Sequence, residues 1–116
     1  MATKSGWTVG FASKAALREM LDQPESIQAD FMQIRQTIEE DGLHKLSSHH
    51  KKKIQGDIWE MRLTGEGVIA RSLYLKWMGR SAIIVHVFTK KKQHIEQRHI
   101  KLALKRAKEF ENAQKR

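Results

Sequence analysis

The sequence predicts an α+β fold, and three observations support that prediction. Residues 58–89 contain three runs rich in β-branched and aromatic residues, separated by glycine-containing segments at 64–67 and 79–80. Such runs with turn residues between them are typical of an antiparallel β-meander. Apolar residues recur at helical spacing on both sides of the meander. A chain of 116 residues suffices for one hydrophobic core, so we expect a single domain over residues 1–116.

The first 42 residues predict a short strand followed by two helices. Residues Trp7–Phe11 alternate weakly and form the predicted opening strand. Ser13 is a suitable N-cap for a helix that runs to Leu21, and its apolar members are Ala15, Ala16, Leu17 and Met20. Pro24 suits the first turn of a second helix, which ends at Gly42. Apolar residues at helical spacing predict one buried stripe on this second helix: Ile27, Phe31, Ile34 and Ile38.

The rest of the chain predicts a basic loop, three strands and a closing helix. Residues 43–56 are polar and basic, and we expect them to form an exposed loop. The three predicted strands are Ile58–Leu63, Val68–Met78 and Ser81–Thr89. Residues Ala82–Val85 are apolar on both faces, which predicts a central strand covered on both sides. The closing helix spans Ile95–Lys115, and its predicted buried stripe consists of Ile100, Ala103, Leu104, Ala107 and Phe110.

The charge balance indicates a polyanionic partner. The chain has 22 lysines and arginines against 13 aspartates and glutamates, a net charge of +9, and a field of that sign concentrates nucleic acids. A positive surface that only keeps the protein soluble is the alternative. The chain has no cysteine, which excludes disulfides and thiolate chemistry. It also lacks an apolar run of ~20 residues and an N-terminal signal pattern, so we expect a soluble, cytoplasmic protein without membrane contacts.

Two arginines are predicted to lie on the sheet. The period of two along a strand puts Arg62 on one face with Ile58 and Glu60, away from the more apolar face. In the next strand Arg71 shares a face with apolar residues only: Ile69, Leu73, Leu75 and Trp77. An arginine in apolar surroundings needs an anionic partner. Arg71 therefore either forms a structural salt bridge, for instance with Glu60 or Glu66, or binds an anionic ligand.

Lysines gather where the third strand ends and in the basic loop. Lys90, Lys91 and Lys92 leave a buried strand before the closing helix begins. We expect them to converge on one cleft beside the sheet with Arg62, Arg71, Lys51, Lys52 and Lys53. Such a cluster suits a phosphodiester whose transition state gains negative charge, because arginine holds phosphate bidentately and lysine supplies a point charge or a proton. The alternative is a polyanion-binding surface without catalysis.

The histidines predict acid–base chemistry rather than a metal site. His49 and His50 are adjacent and cannot share a helix face, and Glu96 with His99 is the only local pair at ligand spacing. His86 lies mid-strand, where a hydrogen-bonded core residue is expected. His50 and His94 lie in basic segments, where a group that titrates near neutrality suits a general acid or base. A nuclease built this way would be metal-independent and would use the 2′-hydroxyl of RNA as its nucleophile.

Four segments in the second part of the chain match motifs of a known family. Residues 52–63 are similar to a KKL-x-GDLWELR signature, residues 70–74 to a YR-x-LY strand, residues 87–91 to a GF-x-KK strand exit, and residues 100–110 to a closing helix. In this order and spacing they resemble RelE/HigB-type toxins of type II toxin–antitoxin systems, in particular the phage-derived HigB-like subfamily. The resemblance implies a RelE/ParE-like fold and a ribosome-dependent endoribonuclease that cleaves messenger RNA without a cofactor. It also implies a small antitoxin partner, often with a helix-turn-helix DNA-binding domain.

The resemblance further implies roles for individual residues. Arg62 and Arg71 match the sheet arginines that stabilise the phosphorane while the 2′-oxygen attacks and the 5′-oxygen leaves. Lys90 and Lys91 match the strand-exit residues that clamp the phosphate or donate a proton. The other residues expected to contact RNA are His50, Lys51, Lys52, Lys53 and Lys92. Other members carry a tyrosine or a histidine near the C-terminus as general base, and the C-terminal segment of this chain has no tyrosine, since Tyr74 is the only one. The candidates for that role are Glu60, His50 and His94.

The residues leave two other functions open. One is a non-catalytic inhibitor of the same superfamily that binds a protein such as gyrase. The other is a basic nucleic-acid-binding module without activity, whose affinity would fall steeply with salt. On the ribonuclease interpretation we expect Arg71→Ala to abolish toxicity and leave the fold intact, whereas an unfolded variant would indicate the salt bridge.

Overall fold

The structure, a computed structural model, describes residues 3–115 of the chain. Over these residues it contains five strands and three α-helices, whose order along the chain is β1 (Thr8–Phe11), α1 (Lys14–Leu21), α2 (Glu25–Asp41), β2 (Lys52–Gln55), β3 (Ile58–Thr64), β4 (Ile69–Trp77), β5 (Ser81–Thr89) and α3 (Gln97–Gln114). Two short 3₁₀ turns, at Leu43–Lys45 and Ser48–His50, connect α2 to β2. The predicted α+β fold is confirmed, and its arrangement is consistent with a RelE-like fold.

The strands form a mixed sheet in the order β1-β5-β4-β3-β2. β1 lies parallel to β5, and the other neighbours are antiparallel. The prediction of a loop over residues 43–56 is wrong for its last part, because residues 52–55 form the edge strand β2 and pair with β3. The local sequence does not predict this strand because Lys52 and Lys53 are exposed, as edge strands tolerate. Only Ile54 in it is apolar, and it is half-buried.

Helices cover both faces of the sheet. The predicted stripe of α2 is confirmed, since all four of its residues are buried in a core with Met61, Leu63 and Ile84. On the opposite face α3 packs Ala103 and Ala107 against apolar residues of three strands: Ile58, Leu73, Leu75, Ile83 and Val85. The prediction that Ala82–Val85 is covered on both sides is therefore confirmed.

Local sequence patterns predict the start of α1 correctly but predict the buried faces of α1 and α3 only in part. Ser13 is the N-cap of α1, and its hydroxyl accepts a hydrogen bond from the Ala16 backbone N–H at 3.2 Å. Of the four apolar members of this helix, Ala16 and Met20 are buried and Ala15 and Leu17 are exposed, because an eight-residue helix turns only one narrow face to the sheet. In α3, Leu104 and Phe110 are half-buried rather than fully buried. The Phe110 ring makes an edge-on contact with Trp77, which fixes the C-terminal end of α3 on the sheet.

Candidate functional site

A buried ion pair stands on the α3 face of the sheet. Arg71 Nη1 lies 2.5 Å from Glu60 Oε2, and each side chain is only 2% exposed. Arg71 Nη2 donates two further hydrogen bonds, to the carbonyl oxygens of Lys92 at 3.0 Å and Gln93 at 2.7 Å. The salt bridge that the sequence left open is thus present, with Glu60 and not Glu66 as the partner. Its guanidinium anchors the segment between β5 and α3 to the sheet.

A hollow of about 220 Å³ lies next to this ion pair. We call it the basic hollow, and it is lined by Arg71, Phe88, Thr89, Lys91, Lys92, His94, Glu96, Arg98 and His99. It is smaller than the ~300–1,000 Å³ of a typical small-molecule pocket. Its size and its positive side chains suit one phosphate and an adjoining sugar of a longer chain.

A second hollow, the strand-edge hollow, lies on the other side of the ion pair. It is lined by Ser48, His49, Lys51, Lys52, Glu60 and Arg62. Arg62 stands directly opposite Arg71 in the β3–β4 ladder and is half-buried. The expectation of one cleft is therefore wrong: the predicted residues divide between two hollows, because the Glu60–Arg71 pair stands between them.

Three predicted residues lie outside both hollows. Lys90 lies beside the β3–β4 turn, where its backbone N–H donates to the Ile69 carbonyl oxygen at 2.8 Å. Lys53 pairs with Trp59 in the β2–β3 ladder, so strand alternation turns it away from Lys52. The His50 carbonyl oxygen accepts a hydrogen bond from the Tyr74 hydroxyl at 2.8 Å. Burial lowers the pKa of the His50 imidazole, which keeps this ring neutral at neutral pH.

Charges at the mouth of the basic hollow are partly compensated. Glu96 lies 3.5 Å from Lys92 Nζ and 3.5 Å from Arg98 Nη2. The field of Lys92, followed by that of Arg98, lowers the pKa of the Glu96 carboxyl. Among residues 3–115 no group of three or more metal-ligating side chains comes together, and Glu96 with His99 remains a pair without a third such ligand.

A chain of hydrogen bonds leads from α1 through β5 into the basic hollow. Glu19 Oε1 lies 2.9 Å from His86 Nδ1, and His86 Nε2 lies 2.8 Å from His99 Nδ1. The interpretation of His86 as a hydrogen-bonded core residue is confirmed, since it is buried and bonded at both ring nitrogens. Sequence reasoning gave no site role to Glu19 or Arg98, and it considered His99 only as half of a metal-ligand pair with Glu96. The polar His86 in an apolar strand was the available signal, but its partner Glu19 lies 67 residues away.

Glu19 is held as a carboxylate by its donors. Burial raises its pKa, but hydrogen bonds from His86, Arg106 and the Val87 backbone N–H outweigh burial and lower the pKa to about 2. A carboxyl whose pKa falls on folding stabilises the folded state above its unfolded pKa of about 4.5, and that stabilisation is lost as the pH falls towards 2.

We therefore expect the stability advantage of the wild type over Glu19→Gln to shrink as the pH falls from about 4.5 to about 2. Urea unfolding of both proteins at a series of pH values measures it. Glu40→Gln, an exposed position on α2, is the matched control and should track the wild type throughout. An advantage over Glu19→Gln that does not change with pH would contradict the proposed bonding of Glu19.

Fold and site together define a basic α+β protein with cationic hollows beside a buried ion pair on a mixed sheet. The family described as phage-derived protein Gp49-like matches residues 18–108. The match covers most of the chain, so the protein belongs to the Gp49-like family of phage-derived proteins. No match to a curated protein was found. No helix within residues 3–115 is long and apolar enough to cross a membrane.

Proposed function

We propose that this protein is the toxin of a type II toxin–antitoxin pair, a RelE/HigB-type endoribonuclease that cleaves messenger RNA on the ribosome without a metal ion. The observation that carries the proposal is the basic hollow, where Lys91, Lys92 and Arg98 lie beside histidines that can exchange protons. Membership of the Gp49-like family, which is consistent with a toxin-like phage-derived protein, supports it.

The chemistry requires no bound ion because RNA carries its own nucleophile. The 2′-oxygen attacks the adjacent phosphorus, and the pentacoordinate transition state gains negative charge on the non-bridging oxygens. Ammonium and guanidinium groups preorganised around that position stabilise the charge more in the transition state than in the ground state. Lys91 and Lys92 in the basic hollow are the groups proposed for this role, and Arg62 in the strand-edge hollow is proposed to hold a neighbouring phosphate of the same RNA. Ribosomal positioning of the message would supply the alignment that so open a site lacks.

Induced expression in bacteria tests the proposal. Growth and messenger-RNA 5′ ends are followed for the wild type and for an Arg62→Ala variant. Growth arrest with new cuts inside translated messages, lost in the variant, supports the ribonuclease. Arrest without new cuts would favour the gyrase-type inhibitor, and no arrest would favour the binding module.

The proposed partner is a small antitoxin, for which the resemblance implies a helix-turn-helix type. A toxin with a net charge of +9 favours an acidic segment in its inhibitor. Co-expression with the product of an adjacent small reading frame should abolish the growth arrest and yield a stable complex. Arrest that persists with every adjacent frame would argue against a paired antitoxin.

The lysines of the basic hollow should give RNA binding a distinct salt dependence. Each phosphate contact adds about 0.7 to the slope of log affinity against log salt for a single strand. We expect Lys91→Ala and Lys92→Ala each to reduce that slope by about this amount, as measured by fluorescence anisotropy with a short RNA. Lys105→Ala, exposed on the outer side of α3, is the matched control and should leave the slope unchanged. Equal slopes for all variants would show that the hollow does not bind phosphate.

A further inference from the structure

Two imidazole rings face each other at the wall of the basic hollow. His86 Nε2 on β5 and His99 Nδ1 on α3 lie 2.8 Å apart, a hydrogen-bond distance between two ring nitrogens. One proton lies between them, on one nitrogen or the other, because a hydrogen bond needs one donor and one acceptor. The contact therefore holds whichever of the two rings carries that proton.

The pair can carry at most one positive charge while this contact lasts. An imidazolium has a proton on both ring nitrogens, so two imidazolium rings would turn N–H towards N–H across the 2.8 Å contact. Two donors cannot bond to each other, and like charges so close repel. The two histidines therefore titrate as one coupled unit, and uptake of its last proton must separate the rings.

The His86 ring is the fixed half of the pair. It is 5% exposed, and its Nδ1 lies 2.9 Å from Glu19 Oε1. The same carboxylate oxygen accepts hydrogen bonds from Arg106 Nη1 at 2.9 Å and from the Val87 backbone N–H at 3.0 Å. Groups from α1, β5 and α3 thus hold His86 in place whether the pair is closed or open.

The His99 ring is the half that can move. It lies in the first turn of α3 and is half-buried, and within residues 3–115 its only side-chain hydrogen bond is the one to His86. In the closed position it stacks on Phe88 with centroids 3.7 Å apart and planes 4° from parallel. Both of these rings line the basic hollow, so a change in the position of His99 changes the wall of that hollow.

The surroundings of the pair oppose a second charge. Burial lowers the pKa of His99 first, and the charges of a protonated His86 and of Arg98 lower the pKa further, while Glu96 and Glu19 raise it. Other cationic or titratable groups come from the strand-exit segment, from β4 and from α3: Lys91, Lys92, His94, Arg71 and Arg106. The last proton therefore enters below the ordinary histidine pKa of 6.5.

We propose that the His86–His99 pair is a pH-sensitive latch, which is closed near neutral pH and opens on uptake of its last proton, when the His99 ring turns into the basic hollow as an imidazolium. An anion in the hollow then favours the open latch, and a low pH favours the bound anion, because linkage between two sites is reciprocal. The latch goes beyond the proposed function, since it acts on folding and on anion binding whether or not RNA is cut.

The variant His99→Asn keeps the contact and removes the switch. An amide has both an acceptor oxygen and donor N–H groups, so it can bond to His86 Nε2 with or without a proton there. It does not titrate, so its contact to His86 should persist at every pH at which the protein is folded.

Urea unfolding of both proteins between about pH 7.5 and about pH 5.5 tests the latch through stability. The unfolded chain binds a proton that the closed latch excludes, so the stability of the wild type relative to His99→Asn should fall as the pH falls below 6.5. The loss is up to about tenfold in the folding equilibrium constant for each pH unit. Groups common to both proteins cancel, including His50, whose pKa is lowered by burial. A relative stability that does not change over this range would overturn the latch.

Nitrogen-15 and proton NMR of the histidine rings tests the opening itself. At about pH 7.5 the two facing nitrogens should share one proton. The appearance of the second proton and the loss of the nuclear Overhauser effect between the rings should follow the same titration curve. Two protons on these nitrogens with the effect intact would overturn the latch. A pair that keeps one shared proton until acid unfolding would overturn it as well.

Fluorescence anisotropy with a short RNA tests the link to the basic hollow. Lowering the pH from about 7.5 to about 5.5 at constant salt should raise the affinity of the wild type about 5-fold more than that of His99→Asn. His94 lines the hollow in both proteins, so its titration cancels in the comparison. Equal pH dependence, or no binding by either protein, would contradict the link between the latch and the hollow.

Discussion

Arg71→Ala is expected to lower the free energy of unfolding by about 3–5 kcal/mol, because it leaves the Glu60 carboxylate buried without its partner. Glu60 and Arg71 are each 2% exposed and lie 2.5 Å apart, so neither charge can turn to water. The variant also frees the carbonyl oxygens of Lys92 and Gln93 from their donor. The expectation from the sequence alone, that this variant keeps its fold, is therefore revised.

A double variant separates the stability of the pair from its chemistry. Glu60→Leu with Arg71→Met replaces both charges by apolar groups of similar length, a change that is often neutral or stabilising for buried pairs. We expect it to recover most of the loss in urea unfolding, whereas Arg71→Ala alone should unfold at much lower urea. If Arg71→Ala unfolds within about 1 kcal/mol of the wild type, the pair is not the structural anchor described above.

Arg62→Ala, unlike Arg71→Ala, is expected to lose most of its activity while the protein stays stable. Arg62 stands opposite Arg71 in the β3–β4 ladder, and no ion pair in the described part of the chain involves it. Arg62 and Arg71 are like charges on directly opposite residues, so removing the charge of Arg62 lowers the free energy of unfolding only slightly or raises it. Losing a group that positions the RNA through a neighbouring phosphate can cost about 10²-fold in rate. We expect that loss in single-turnover RNA cleavage, with a change in unfolding free energy below about 1 kcal/mol.

Arg18→Ala serves as the matched control for Arg62→Ala. It removes the same charge from an exposed position on α1, so it should alter neither cleavage nor stability appreciably. Equal activity of the two variants would show that Arg62 acts only through net charge. A strongly destabilised Arg62→Ala would instead show that Arg62 is structural.

The elements that the sequence predicted correctly are those with a local signature. The stripe of α2 repeats at helical spacing, and the apolar run of β5 is covered on both sides as its composition requires. Glu60 was one of the two partners named for Arg71, because an arginine among apolar neighbours needs an anionic partner. β2 was missed because an edge strand of lysines shows no apolar alternation.

The site was less predictable because it is built from long-range contacts. Alternation identified the neighbours with which Arg62 and Arg71 each share a face of their own strand, but not the two hollows on either side of the ion pair. Glu19 meets His86 only because α1 packs against β5, and His99 meets the same ring only because α3 packs on the sheet. Nothing near Glu19 in the chain distinguishes it from a solvated helix residue.

One modified message tests whether the 2′-hydroxyl of RNA is the nucleophile in a site built from basic side chains. Purified protein is added to ribosomes programmed with a message it cleaves, and with the same message carrying a single 2′-deoxynucleotide on the 5′ side of the scissile bond. We expect a 2′,3′-cyclic phosphate and a 5′-hydroxyl from the unmodified message and no cut at that position in the modified one. Cleavage of the deoxy-substituted message, or products with 5′-phosphate ends, would contradict it.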